Sequence, residues 1–229
     1  MSTDIELSPS SSVADVQRAL ESLEDPRIRA INEKHGDDYG VNLGKLRALA
    51  KALKSNHELA AELWHTDQTG CQLVATLICK PRLFTIDDLE QWVRQSRTPK
   101  VQAWFLNYVV KKSKHLEELR RRLVDDQDPV VASAGWELTA HQVVKAPENL
   151  DQSTLLDIVE AQMLHAPQRL QWAMNNTLAQ IGIENEELRP RALSIGESLQ
   201  VLADYPTPAG CTSPFAPIWI NEMVKRRSA

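Results

Sequence analysis

The sequence lacks any apolar run long enough to be a signal peptide or a membrane-spanning segment. We therefore expect a cytoplasmic protein that has no membrane partner. The 229 residues include only 3 cysteines, Cys71, Cys79 and Cys211, and no C-x-x-C pair. An odd and sparse number of cysteines is typical of proteins from a reducing compartment.

Motifs for metal binding, phosphate binding and nucleophilic catalysis are missing too. The histidines form no H-E-x-x-H pattern or comparable pair. The segment GVNLGKLR at 40–47 is shorter than a phosphate-binding loop, and Leu46 stands where such a loop needs Ser or Thr. We therefore predict no metal and no cofactor.

Glycine is scarce, with 8 residues, and no segment alternates polar and apolar residues in the way of a half-buried strand. Instead, apolar residues recur about every 3.6 positions from Val13 onward, and proline or acidic-polar joints interrupt the pattern. The sequence therefore predicts an all-α fold. The predicted helices lie near residues 13–24, 43–54, 57–65, 70–79, 85–95, 100–112, 115–124, 130–143, 153–164, 168–181, 186–200 and 215–226.

Three of these helices begin alike, with a proline followed by a tryptophan. The pairs are Pro99 with Trp104, Pro129 with Trp136, and Pro167 with Trp172. The prolines are 30 and 38 residues apart, which leaves room for one more helix in each interval. A helix pair that recurs at this period predicts an α-solenoid of HEAT-like repeats, with about six helix pairs. We expect a flexible tail at 1–12 and a single repeat domain at 13–229, with a proline-rich C-terminal cap at 204–229.

The strongest basic cluster of the chain flanks one inter-helix turn. It comprises Lys111, Lys112, Lys114, Arg120, Arg121 and Arg122. Such a surplus of cations can hold several phosphates of DNA, and the alternative is a solvated helix end, where Lys and Arg are common. Trp104 and Trp136 are candidates for stacking on a base or contacting a sugar. The alternative is that both tryptophans pack in the core between helices.

Several segments resemble the DNA alkylation repair family, the HEAT-like alkylpurine DNA glycosylases. YGVNLGKLRALAKAL at 39–53 is similar to the family segment Y/F-G-V-x-x-x-x-L-R-x-x-A-K. LAAELWHTDQTGCQLVATLI at 59–78 is similar to the segment A-x-x-L-W-x-S-x-x-x-E-x-R-x-L-A, and DYPTPAGCTSPFAPIWINEMV at 204–224 resembles the C-terminal end of a bacterial branch. The resemblance implies a solenoid that holds duplex DNA in a concave groove and hydrolyses the N-glycosidic bond of cationic alkylated purines.

The resemblance also implies a catalytic Asp at the start of a groove helix, where it stabilises the positive charge of the transition state. In this sequence the matching stretch is TPKVQ at 98–102, so Gln102 stands at the position of the Asp and Thr98 at that of a Trp. A glutamine amide carries no negative charge and cannot stabilise an oxocarbenium ion in that way. The usual mechanism of the family is therefore not expected.

Two further family positions are also replaced. The family Arg lies in the first turn of a groove helix, and here that turn is the uncharged PVVAS after Asp128, with Ala132 or Ser133 at the Arg position. A later groove Trp corresponds to Asn175 or Asn176. We thus expect catalytic positions occupied by Gln102, Ser133 and Asn176.

Three functional hypotheses remain open. The first is a DNA-binding protein of the alkylation repair family that recognises alkylated or structured duplex DNA, with weak or altered base excision. The second is a non-catalytic HEAT-repeat scaffold for a protein partner. The third is an active glycosylase with a relocated acid, for which Glu137 beside Trp136 is the candidate residue.

Overall fold

Thirteen α-helices account for most of residues 7–96 and 98–228, the part of the chain that this computed structural model describes. In chain order they are α1 (Val13–Ser22), α2 (Pro26–Glu33), α3 (Leu43–Leu53), α4 (His57–Trp64), α5 (Thr69–Ile78), α6 (Ile86–Gln95), α7 (Pro99–Tyr108), α8 (Leu116–Leu123), α9 (Pro129–Lys145), α10 (Gln152–Gln162), α11 (Gln168–Glu184), α12 (Arg189–Leu199) and α13 (Ala216–Arg227). No strand occurs in these described residues, so the predicted all-α fold is confirmed.

Helix starts follow the capping signals of the sequence. Ser12 and Thr85 each form a capping box with the aspartate three residues later, at the starts of α1 and α6. One helix, α2, was absent from the predicted set. It follows Asp25, whose side chain accepts a hydrogen bond from the Arg27 amide, in the same way that Asp128 caps α9. The Asp–Pro pair at 25–26 was therefore a usable signal for this helix.

The chain divides into two compact units, Met1–Glu117 and Glu118–Ala229. In the first unit, the buried helix α5 packs against α3, α4 and α7. An aromatic cluster lies beside it, in which the rings of Trp64 and Trp92 stack with centroids 4.0 Å apart, and Phe84 and Phe105 pack around them. These rings are buried, so they belong to the core of the unit. The burial of such large rings contributes strongly to the stability of a small unit.

In the second unit, the long helices α9 and α11 pack against each other, and α10, α12 and α13 pack against α11. Trp136, Leu156, Met174 and Leu178 belong to the resulting core. Gly135 of α9 permits a close approach to the end of α8, because a Cβ atom there would lie 2.5 Å from Cα of Val124. Val131, Ala132 and Ser133 at the uncharged start of α9 are buried as well, so this part of the helix is a packing surface.

The predicted domain boundaries stay predictions. Residues 1–6 of the expected tail lie outside the described residues, whereas Leu7 is buried and Ser12 caps α1. At the other end, α13 follows a helix-free segment and packs against α11 and α12. The expected single domain at 13–229 includes the second unit and most of the first.

Candidate nucleic-acid interface

The loop that precedes α3 fixes the position of α7 in the first unit. Asp37 is buried, and its carboxylate accepts a hydrogen bond of 2.8 Å from the Lys100 amide in the first turn of α7. The neighbouring Asp38 accepts a hydrogen bond from the hydroxyl of Thr69, the first residue of α5. The loop thereby holds two helix N-termini, where negative charge is stabilising.

Cations and aromatic rings meet where α3 and α7 lie close together. The guanidinium of Arg47 on α3 lies 5.0 Å from the Trp104 ring centroid, and its Nη2 donates a hydrogen bond of 3.3 Å to the Tyr108 hydroxyl. Nζ of Lys112 lies 5.7 Å from the Tyr108 ring. Together with Lys111, these residues form what we call the basic–aromatic patch. Such contacts position cations beside aromatic rings without neutralising them.

The two elements that carry the patch have basic but no acidic side chains. Helix α3 and the segment 99–112 contain no Asp or Glu, although they carry Lys45, Lys51 and Lys100 in addition to the patch. Nζ of Lys111 donates a hydrogen bond of 2.7 Å to the neutral side chain of Asn107. The charged side chains of these two elements are therefore all positive, which is the composition that favours phosphate.

The predicted basic cluster is distributed over both units. Lys111 and Lys112 end the 3₁₀ turn Val110–Lys112, and Lys114 is exposed in the turn that follows. Arg121 and Arg122 are exposed in the second unit, where Arg122 forms an ion pair of 3.0 Å with Glu118. Their role in DNA binding stays a prediction.

Arg120 differs from the other cations of the cluster. It is only 8% exposed, and its Nη1 donates a hydrogen bond of 3.3 Å to the hydroxyl of Thr139. A guanidinium in this position stabilises the interior of the second unit. It is therefore poorly placed to contact a phosphate in this conformation.

The predicted catalytic positions are occupied by uncharged side chains, of which Gln102 and Ser133 are buried and Asn176 is half-buried. Gln102 on α7 is 4% exposed, and Thr98 before it is buried as well. In the second unit, the Ser133 hydroxyl donates to the Val130 carbonyl over 2.6 Å, and Asn175 Nδ2 donates to the Pro214 carbonyl over 2.9 Å. These polar groups are held in the packing of their helices.

The two predicted tryptophans are buried rather than displayed. Trp136 lies in the core of the second unit, and the carbonyl of the same residue accepts a hydrogen bond of 3.0 Å from the Thr177 hydroxyl. Trp104 is 6% exposed, and Arg47 lies over its ring. Their predicted contact with DNA is not tested by this placement.

An acid does lie among the helices of the second unit. Glu137 on α9 is half-buried, and its Oε2 accepts a hydrogen bond of 2.9 Å from Nδ2 of Asn176 on α11. The contact thus joins Glu137, the candidate acid for a relocated active site, to Asn176, one of the expected catalytic positions. The hydrogen bond holds the carboxylate oxygen between α9 and α11.

Sequence reasoning missed Arg47 and Tyr108 as site residues. Arg47 lies within the segment that resembles the family, but its contact with α7 is 61 residues away in sequence. Tyr108 had a weak local signal, because it precedes Lys112 by four residues. A residue pair at that spacing shares one face of a helical segment.

A profile of the family described as "DNA alkylation repair enzyme" matches residues 16–216. The chain belongs to the DNA alkylation repair enzyme family. The chain is also similar to two proteins described as uncharacterized, from Listeria innocua serovar 6a and Listeria monocytogenes serovar 1/2a. Each is 24% identical over 188 residues, which cover 79% of this chain and 83% of the relative.

A solved structure is similar to this chain in fold. It has a TM-score of 0.77 and 22% identity, and the match covers 95% of each chain. That protein is described as belonging to a new family related to the HEAT-like repeat DNA glycosylases, with affinity for branched DNA structures. The predicted family and the predicted HEAT-like helical fold are thus confirmed.

Two negative findings concern the rest of the described chain. Across residues 7–96 and 98–228, no group of three or more His, Cys, Asp or Glu side chains could hold a metal ion. In the same ranges, no helix combines the length and the apolar character needed to cross a membrane.

Proposed function

We propose that this protein binds branched or otherwise structured duplex DNA, and that the basic–aromatic patch contacts the phosphate backbone. One observation carries the proposal: Arg47 and Lys112 lie beside the rings of Trp104 and Tyr108, and neither α3 nor the segment 99–112 contains a carboxylate. Phosphate contacts by Lys and Arg supply most of the affinity of a DNA-binding surface that does not read sequence. Membership of a DNA repair family and the branched-DNA affinity described for the structural neighbour support it.

The geometry of the patch suits a phosphate backbone better than a base. The Tyr108 hydroxyl already accepts a hydrogen bond from Arg47, and both rings are largely covered by the protein. The Arg47 guanidinium is held by this contact and by the Trp104 ring, so less side-chain entropy is lost when it binds. The patch therefore offers positioned charge and little open ring surface for stacking.

The residues at the expected catalytic positions are consistent with DNA binding that is not followed by the family's usual base excision. Gln102, at the predicted position of the catalytic Asp, is neutral and buried, and Ala132 or Ser133 stands at the predicted position of the Arg. Neither side chain supplies charge that could stabilise the transition state of base loss. Recognition of a DNA structure is thus the activity that the retained residues support best.

The test measures, by fluorescence anisotropy, binding to a four-way junction and to a linear duplex with the sequence of the junction arms. The patch variant carries Arg47→Gln, Lys111→Gln and Lys112→Gln. A control with the same change of charge carries Lys34→Gln, Arg82→Gln and Lys145→Gln, which replaces exposed cations outside the patch. We expect the wild type and the control to prefer the junction, and the patch variant to lose at least tenfold in affinity.

Two outcomes would contradict the proposal. Equal weakening by the patch and control variants would mean that only net charge matters. A wild type that binds neither DNA at low salt would leave the scaffold hypothesis, which a protein partner recovered stoichiometrically after nuclease treatment would then support.

Base excision is a second candidate, favoured by the contact between Glu137 and Asn176. A glutamate side chain positioned by an amide at 2.9 Å is the type of group that stabilises positive charge on a sugar. If the protein excises bases, we expect it to release 7-methylguanine from methylated DNA, and we expect Glu137→Gln to abolish this release. An absence of release by the wild type would eliminate it, without affecting the binding proposal.

A further inference from the structure

One of the three tryptophans that follow a proline is not buried in the core. Trp104 and Trp136 are 6% and 3% exposed, whereas Trp172 on α11 is half-buried. Its ring meets that of Tyr205, which is 37% exposed, with a centroid distance of 5.0 Å and an angle of 87° between the ring planes. In such an edge-to-face pair, one ring keeps both of its faces away from the other ring, so the pair has ring surface that neither partner covers.

Two short turns fix the backbone around Tyr205. The Tyr205 amide donates a hydrogen bond of 3.2 Å to the Leu202 carbonyl, and the Thr207 hydroxyl donates one of 3.1 Å to the Tyr205 carbonyl. Further along the same segment, the Pro214 carbonyl accepts a hydrogen bond of 2.9 Å from Nδ2 of Asn175 on α11. These bonds fasten the segment between α12 and α13, so a flat ligand meets two rings that are already in place.

A polar side chain follows Trp172 by one helical turn. Residues four apart share a face of a helix, so Asn176 lies beside Trp172 on α11. An amide nitrogen carries two protons, and Nδ2 of Asn176 donates one hydrogen bond, to Glu137 over 2.9 Å. Its Oδ1 accepts no hydrogen bond from any residue within 7–96 or 98–228, and it is not enclosed by the protein. Asn176 therefore has one donor and one acceptor left for a ligand.

The charges around these rings suit a base better than a phosphate. Trp172, Tyr205, Asn176 and Glu137 include one carboxylate and no cation. A carboxylate repels phosphate, whereas the amino groups of bases can donate to it. Aromatic rings stack on bases, and a donor beside an acceptor on one amide matches N7 and the N6 amino group of adenine. The faces of a base within a duplex are covered by its neighbours, so only a base that has left the stack can bind in this way.

We propose that these four residues, which we call the stacking site, bind an unpaired adenine. The base stacks on the Trp172–Tyr205 pair, and Asn176 donates to its N7 and accepts from its N6 amino group. The inference rests on the proposed function, because it names a feature that the protein recognises in branched DNA. An unpaired base at a branch point costs little to unstack. All four residues lie in the second unit, and none belongs to the basic–aromatic patch.

The test uses a three-way DNA junction that has one unpaired nucleotide at the branch point. That nucleotide is adenine, thymine or a stable abasic analogue in three otherwise identical junctions, and affinity is measured by fluorescence anisotropy. We expect the wild type to bind the adenine junction at least about fivefold more tightly than the abasic one, as stacking of one base on an aromatic ring predicts. Thymine should fall between them, because it has no amino group to donate to Oδ1.

Variants of the two rings test the stacking. Trp172→Ala should reduce the ratio of the adenine to the abasic affinity to about 1, while the affinity for the abasic junction stays unchanged. If that variant fails to fold, Tyr205→Ala still decides, since Tyr205 is exposed and lies in no helix. Ile218→Ala, at a position on α13 that is 46% exposed, is the matched control and should keep the wild-type ratio.

Asn176→Ala tests the contact with the edge of the base. It should make the adenine and thymine junctions bind equally, with both still tighter than the abasic junction. An adenine preference that survives in this variant would overturn the contact assigned to Asn176.

The outcomes separate this inference from the DNA-binding proposal. A wild type that binds the adenine and abasic junctions equally, while the patch variant weakens both, would overturn the stacking site and support the basic–aromatic patch. An equal loss of preference in Tyr205→Ala and Ile218→Ala would also overturn the stacking site. A wild type that binds none of the three junctions at low salt would overturn both proposals.

Discussion

Replacing Gly135 by alanine is expected to destabilise the second unit, although alanine is the better helix former. Gly135 lies within α9, where an alanine would ordinarily gain up to about 1 kcal/mol in helix propensity. Its Cβ atom would, however, lie 2.5 Å from Cα of Val124 and 2.7 Å from the carbonyl carbon of Leu123. Both are backbone atoms, which cannot rotate away as a side chain can.

The magnitude follows from the separation that alanine would require. To reach ordinary contact at 3.4 Å, the end of α8 and helix α9 would have to move apart by about 0.9 Å. Overpacking of this kind costs about 1–3 kcal/mol and occasionally more. Because α9 buries most of its residues, the movement would also loosen contacts with α11, so we expect a net loss of about 2 kcal/mol.

Urea unfolding followed by circular dichroism measures this loss. With a slope of about 2 kcal/mol per M, the midpoint of the affected transition should fall by about 1 M. Ser194→Ala, at an exposed position within α12, is the matched control and should leave the midpoint unchanged or slightly raised. A Gly135→Ala midpoint equal to or above that of the wild type would refute the packing argument.

Three further predictions concern single contacts. Asp37→Ala removes the acceptor of the Lys100 amide and should cost about 1–2 kcal/mol in urea unfolding; an unchanged midpoint would contradict the capping role. The hydrogen bonds from Arg227 lower the pKa of Glu184 below its ordinary value of 4.5, so their stabilisation is present above that pH and is lost as the pH falls through the lower folded value. Arg227→Gln should therefore reduce the Tm at pH 7 and hardly at pH 2; equal losses at both would contradict it. Since burial raises the pKa of Tyr39 from 10.0 to about 12, stability should fall over that interval, and Tyr39→Phe should remove this part of the fall.

The helices were largely predictable because their signals are local. Apolar residues at a period near 3.6 and capping side chains gave twelve of the thirteen described helices. Helix α2 escaped the prediction because its eight residues form only about two turns, so Ile28 and Ile31 are too few to show a period, and none of the eight is buried. Its only signal was the cap, which a search for periodicity does not detect.

The burial of Arg120 could have been predicted from the sequence, although the basic cluster alone did not indicate it. It follows Leu116 by four residues and precedes Leu123 by three, so it lies on the apolar face of α8. Arg121 and Arg122 lie off that face and are exposed. The helical position of each cation, rather than the size of the cluster, determines which of them reach solvent.

The basic–aromatic patch could not be predicted in the same way. Its central contact joins Arg47 to Tyr108, and it exists only because α3 and α7 both pack against α5. Tertiary packing of this kind leaves no periodic signal in a single sequence. The family resemblance located α3 but did not indicate which of its side chains meets α7.

The salt dependence of junction binding tests the central claim most directly. Each phosphate that a cation neutralises contributes about −0.9 to the slope of log K against log salt. If Arg47, Lys111 and Lys112 each contact one phosphate, the slope for the patch variant should be less steep by about 3 than that of the wild type, while the control variant keeps the wild-type slope. A patch variant whose slope equals that of the wild type would contradict the proposal that these residues bind the DNA backbone.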